Sequence, residues 1–171
     1  MKLRLFLGLS LIALTRFASA QTFSGTGGSI ITLSDTSRFN INVSGLSPAS
    51  VDYTFGLESV TININHSRAR DIDCFLAAPD GTLIMLTTDN GGTSGSNFTN
   101  TIFRNDAATS ITSGSAPFTG TYRPEGTLYN VNNGQNGNGT WQLRVIDDSN
   151  NGITGSLINW SINFGGNPAR P

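Results

Sequence analysis

Lysine is nearly missing from this chain of 171 residues: it occurs once, at Lys2, and every other basic residue is an arginine. Cysteine also occurs once, at Cys74, so an intramolecular disulfide is excluded and stability must come from packing and, at most, a bound ion. Charged residues make up 12% of the chain. Beyond the first twenty residues, taking Lys2, Arg4 and Arg16 from the 10 basic residues leaves 7 against 11 acidic ones, a charge of −4. No basic stripe exists to displace counterions from a nucleic-acid backbone, which excludes that class of partner. A sustained 3.6-residue apolar period is missing too, so helices are not expected. No apolar run after the first twenty residues is long enough to span a bilayer.

At the start, Lys2 and Arg4 precede an apolar run over 5–14, and Ala18-Ser19-Ala20 closes it before Gln21. That order predicts a secretory signal peptide over 1–20 and an exported product, extracellular or periplasmic, with no membrane attachment after cleavage. The remaining 151 residues are enough for one domain with its own core. Glycine, serine, threonine and asparagine dominate them, which favours short strands broken by turns.

Several segments alternate with period two. Residues 39–43 do so, and 57–65 place Val60, Ile62 and Ile64 on one face. Segments 71–78 and 82–87 flank Ala-Pro-Asp-Gly, where Pro79, Asp80 and Gly81 supply turn geometry, so a β-hairpin is expected there. Further strands are expected over 97–103, 117–122 and 128–131, and 21–35 reads as an extended lead-in or first edge strand. In the closing run 139–164, Trp141, Leu143 and Val145 share one phase, as do Trp160, Ile162 and Phe164. This run reads as a second hairpin with a carboxylate-bearing loop and two tryptophans anchoring a shared core. Many short strands with turn signals predict an all-β fold, a jelly-roll β-sandwich. Cys74 shares the phase of Ile72 and Leu76 and is expected to be buried.

The closing run, Gly-x-Trp-x-Leu-x-Val-x-Asp, a polar turn, Gly-x-Leu and Trp-x-Ile-x-Phe, resembles the end of the P domain (P/Homo B domain) of kexin-like and furin-like subtilases and of bacterial secreted proteins. Three further blocks resemble it in the family's order: Val60 to His66, Asp71 to Thr82 with its Ala-Pro-Asp-Gly-Thr end, and Gly114 to Gly126 with Pro-Phe-Thr-Gly-Thr-Tyr-Arg-Pro. Together they cover 56–165, preceded by 21–55 as lead-in and first strands and followed by 166–171 as a tail. Phe103-Arg-Asn-Asp-Ala107 departs from the family's Phe-x-Asp-x-Ala, with Asn105 in the place of the acid and Asp106 one residue on. The resemblance implies a module that packs on a subtilisin-like protease domain in trans and supports its folding, stability or substrate access. A label of serine-type endopeptidase would follow from the family alone.

The residues themselves do not support such an activity. A triad needs a histidine held by a carboxylate and bonded to a nucleophile. His66 is the single histidine, and it reads as a strand-end residue that hydrogen-bonds neighbouring loops. Ser94, in Gly-Thr-Ser-Gly-Ser, lacks the residues that would open a nucleophile-bearing helix and reads as loop. No catalytic residue is assigned. Oxygen-bearing side chains do gather in loops, and calcium takes six to eight such ligands. Asp71 and Asp73 stand at i, i+2; Asp147, Asp148 and Asn151 belong to an Asp-Asp-Ser-Asn-Asn-Gly loop with oxygens at alternate positions; Asp89-Asn-Gly-Gly is a third oxygen-rich turn. Asp71, Asp73, Asp147, Asp148 and Asn151 are therefore the candidate calcium ligands, with Asx turns as the plainer reading of the same residues. The family resemblance carries Asp71 and Asp147 to that role. A different function, carbohydrate binding or adhesion, would need exposed aromatics, for which Tyr53, Tyr122 and Tyr129 are the candidates. Five Asn-x-Ser/Thr sequons, at Asn42, Asn65, Asn97, Asn138 and Asn159, are what this composition yields by chance.

Overall fold

In the computed structural model, residues 19–32 and 35–171 are described. Nearly all of the predicted signal peptide, residues 1–18, lies outside the described residues. Eleven strands are found among the described ones: β1 (Gln21–Ser29), β2 (Thr36–Val43), β3 (Ser50–Val51), β4 (Gly56–Asn65), β5 (Ile72–Ala77), β6 (Leu83–Thr87), β7 (Phe98–Phe103), β8 (Phe118–Tyr122), β9 (Gln135–Asn136), β10 (Gly139–Asp147) and β11 (Ser156–Gly165). They build a five-stranded sheet in the order β1-β11-β4-β7-β8 and a four-stranded sheet in the order β2-β10-β5-β6, with β3 and β9 forming a small ribbon. The all-β class predicted from composition and periodicity is thus observed, as two main sheets over a common core, an arrangement compatible with a jelly roll. No helix among the described residues is long and apolar enough to cross a membrane.

Alternation decides which side chains enter the core. On β10, Trp141, Leu143 and Val145 are buried; on β11, Leu157, Trp160, Ile162 and Phe164 are. Trp141 and Phe164 meet edge to face with ring centroids 5.4 Å apart, a geometry aromatic quadrupoles favour. Trp141 Nε1 donates to the Gly137 carbonyl at 2.9 Å. Trp160 Nε1 has no partner and lies over β1, where a Cβ at Gly25 would stand 2.5 Å from it; only glycine lets the first strand come so close. Phe98 and Phe118 stack at 5.0 Å across the parallel pair β7–β8. Burying a large side chain of this kind stabilises by about 1.5–3 kcal/mol.

The expected hairpin over 139–164 does not form. β10 pairs with β2 and β5, β11 with β1 and β4, and the two belong to opposite sheets. The shared core is real, but its halves face each other across the sandwich instead of lying side by side. Eight residues separate β10 from β11, enough to arch between sheets, whereas a tight hairpin turn uses two. Residues 128–131 are likewise a 3₁₀ turn and not a strand. Leu128 and Val131 are both buried, which a three-residue turn achieves and strand alternation does not. The hairpin β5–β6 forms as expected: Gly81 has φ +90 and Ala78 N–H donates to Thr82 O at 2.9 Å. Cys74 is fully buried, and burial pushes its thiol pKa well above the usual range, which suits an inert core residue.

Candidate functional site

The five candidate ligands gather where β5 begins and β10 ends, two strands that are direct neighbours. They separate into an inward and an outward group. Inward, Asp147 occupies the same phase as Val145 and Leu143 and is completely buried, as is His66 to within 1%. His66 Nε2 donates to Asp147 Oδ2 at 3.3 Å, and His66 Nδ1 lies 2.8 Å from the Arg68 carbonyl. The histidine's own backbone is held as well: its N–H donates to Asn97 Oδ1 at 2.9 Å and its carbonyl accepts from Asn97 N–H at 2.9 Å. Asn97 has φ +65, a conformation that asparagine tolerates better than most residues. On the other side of the ring, a Cβ at Gly155 would collide with the imidazole. The strand-end role read for His66 is observed, with Asp147 as an additional partner that sequence spacing could not supply.

Asp71 is the second inward acid. It was expected to share a strand face with Asp73, but Ala69–Asp71 is a 3₁₀ turn and β5 begins only at Ile72. The turn rotates Asp71 inward, where it is 3% exposed. Its Oδ2 accepts from Asn151 Nδ2 at 2.7 Å, Arg68 Nε stands 3.5 Å away and Arg70 Nε 3.9 Å away. The longer two are ion pairs beyond hydrogen-bond length, and Arg68 Nε has no hydrogen-bond partner. Asn151 spends its amide on Asp71 and Ser149 and its oxygen on the Ile153 N–H, and Asp147 Oδ1 accepts from Ser149 N–H. The 148–155 loop is therefore stitched by Asx-type bonds and tied to the turn before β5, where Asp148 N–H also donates to Asp71 O.

Outward, Asp73 sits half-buried on β5, and Asp148 and Asp89 are exposed near it. Asp73 Oδ1 accepts from Asp89 N–H at 3.2 Å. Among the described residues none of these three carboxylates forms an ion pair. Burial, and then the charges of Asp148 and Asp89 with a smaller share from Glu125, push the Asp73 pKa up to about 6. Asp148 is also raised, by burial first and then by Asp89, Asp71 and Asp147. Like charges held close without a cation favour protonation in this way. Asp89 and Glu125 escaped the sequence-based ligand set; Glu125 accepts from Thr88 N–H and Asn90 Nδ2. No group of three His, Cys, Asp or Glu side chains among the described residues converges as one metal site. The outward acids carry charge with no ion-pair partner among the described residues, whereas the inward acids are already partnered.

The remaining motifs resolve locally. Asn105 accepts from Leu128 N–H and donates to Thr127 Oγ1, while Asp106 turns to Arg104 at 2.8 Å, which holds its carboxyl below the usual range. Ser94 is exposed in the loop before β7. Tyr122 packs edge to face on Phe118 at 5.6 Å, so it is part of the core margin, while Tyr53 is 70% and Tyr129 37% exposed.

This architecture is a two-sheet β-sandwich in which the single histidine, His66, is buried and bonded to Asp147 and to the Arg68 backbone. The model of the proprotein convertase P-domain matches residues 58–164, and the chain belongs to that family, whose members are accessory domains of serine proteases. No curated protein matches the sequence. Among solved structures, the serine protease of Aeromonas sobria is similar at 17% identity and a TM-score of 0.47, over 90% of this chain and 28% of that one. The same values hold for the structure of that protease in complex with its chaperone. The chain spans 28% of the length of these proteases.

Proposed function

We propose that this chain is an exported, non-catalytic P-domain module that supports the folding, stability or substrate access of a subtilisin-like protease domain lying outside these 171 residues. The observation that carries this reading is the His66–Asp147 pair. In a triad the imidazole would offer one nitrogen to a nucleophile; here Nε2 is taken by Asp147 and Nδ1 by the Arg68 backbone, and the ring is buried. The pair is a clamp between the end of β4, the turn before β5 and the end of β10. Family membership supplies the protease association. Export rests on the amino-terminal pattern of 1–20, and amino-terminal sequencing of secreted material should begin at Gln21.

Adding the purified protein to a subtilisin-like protease domain prepared without its own P domain should raise the yield of active protease on refolding. The protein alone should not cleave peptides. Peptide turnover that disappears in His66→Ala would overturn the non-catalytic reading, and an unchanged refolding yield would overturn the supporting role. Calcium belongs to the same proposal through the outward acids: Asp73 and Asp148, with Asp89 beside them, repel one another, and a divalent cation would relieve that repulsion. Calcium should then raise the melting temperature, EDTA should reverse the gain, and Asp73→Asn/Asp148→Asn should abolish it.

A further inference from the structure

The outward face of the four-stranded sheet is polarised along its own surface. Register places Arg38, Arg144, Phe75 and Met85 side by side in one row across β2, β10, β5 and β6. The next row holds Asn40, Gln142, Ala77 and Leu83, and the row on the other side holds Thr36, Ile146 and Asp73. Leu83 is 49% and Met85 39% exposed on the edge strand. Arg38 and Arg144 are direct cross-strand neighbours, a like-charged pairing that disfavours the sheet when left alone. Their side chains reach only the Thr36 carbonyl and Gln142 Oε1, and neither makes an ion pair among the described residues. The acidic end, Asp73 with Asp148 and Asp89, is equally without a counter-charge. One face therefore carries the Arg38–Arg144 pair, the apolar Phe75 and Met85 in the same row, and Asp73 one row away and diagonal to Arg144, with no ion pair formed among them.

We propose that this face is a self-complementary interface on which a second copy of the chain docks, about a two-fold axis lying in the plane of the face between its arginine pair and its acids. Isologous contact requires one patch to contain both a group and its complement, and this face does. The axis brings Arg38 and Arg144 of each copy over Asp73 and Asp148 of the other, and Phe75 near its own counterpart. Four strands by three rows at ordinary strand spacing cover on the order of 400 Å² per copy, less than the ~800 Å² of a standard interface. The association is accordingly reversible, with charge fixing orientation more than affinity.

The test is sedimentation equilibrium of the full chain recovered from an exporting host, in EDTA at low salt, from about 10 to 500 μM, the range in which an interface this small is half-formed. The wild type should show a monomer–dimer equilibrium. Arg38→Glu/Arg144→Glu and Asp73→Arg/Asp148→Arg should each weaken it at least tenfold, and an equimolar mixture of the two variants should regain association within a few-fold of wild type. Met85→Lys, on the exposed edge strand, should weaken dimerisation with an unchanged near-ultraviolet circular dichroism spectrum, and it carries the test where a double variant fails to fold. A wild type that stays monomeric throughout overturns the proposal, as does dimerisation undiminished in Met85→Lys and the folded double variants, or a mixture that stays monomeric.

Discussion

Asp71 lies two residues from Asp73, and Asp147 is followed directly by Asp148, yet the members of each pair meet opposite surroundings. The inward acids are buried and partnered by His66, Asn151, Arg68 and Arg70. The outward acids are more exposed, and the charges acting on them are those of other carboxylates, the inward pair and Glu125 included. A one-residue step at the end of β10, and the 3₁₀ turn that sets Asp71 apart from β5, reverse the side to which a carboxylate points, and with it the role the carboxylate can have. The inward group holds loops together; the outward group stores repulsion that, on the proposals above, a cation or a second copy would relieve.

The largest effect that separates the two groups should come from the inward one. His66→Ala leaves the Asp147 carboxylate buried without its partner and should cost about 3–5 kcal/mol of unfolding free energy, read from urea titration; a loss below 1 kcal/mol would mean that the pair is not a clamp. Asn151→Ala removes the 2.7 Å bond to Asp71 and should cost about 1–3 kcal/mol, since a buried acceptor then lacks a donor. The outward group should respond with the opposite sign. Asp73→Asn should raise the melting temperature at pH 7 by a few degrees, on the order of a 0.5–1 kcal/mol gain, and the advantage should vanish near pH 4.

The sign follows from the Asp73 pKa of about 6, raised above its unfolded value. The folded protein holds this proton more tightly, so the group's stabilising share is complete below the unfolded pKa and is lost as pH rises through about 6. The wild-type melting temperature should therefore climb as pH falls from 7 to 5, and Asp73→Asn should flatten that climb. Smallest of all should be a rise of the wild-type melting temperature with added sodium chloride at pH 7, through screening of the exposed carboxylates, with the inward pair contributing little.

Much of this division was legible in the sequence. Period-two alternation located β4, β5, β6, β10 and β11 and put Cys74, Trp141 and Trp160 inside. Alternation specifies which side chains of a strand share a face, however, and not which sheet the strand joins, so β10 and β11 looked like a hairpin while they belong to opposite layers. The length of the intervening loop was the available hint. Asp71 and Asp73 looked equivalent because the 3₁₀ turn at Ala69–Asp71 has no strong local signature. Asp147's phase with Val145 already pointed inward, but its partner His66 stands 81 residues away, a distance that no spacing rule bridges. Gly155 and Asn97 were the accessible traces of that pair, one admitting the imidazole and the other adopting the positive φ that holds its backbone.

The strand order has a consequence for how the chain is made. β10 lies between β2 and β5, and β11 between β1 and β4, so the two described strands that come last in sequence are the ones that join the parts of each sheet. With 138 residues synthesised, β1 and β2 still lack any partner in either main sheet, and Trp141, Trp160 and Phe164 of the core are not yet made. Non-local pairings of this kind form slowly, after long loops have closed. Neither main sheet can therefore complete its pairing until β10 and β11 have been made.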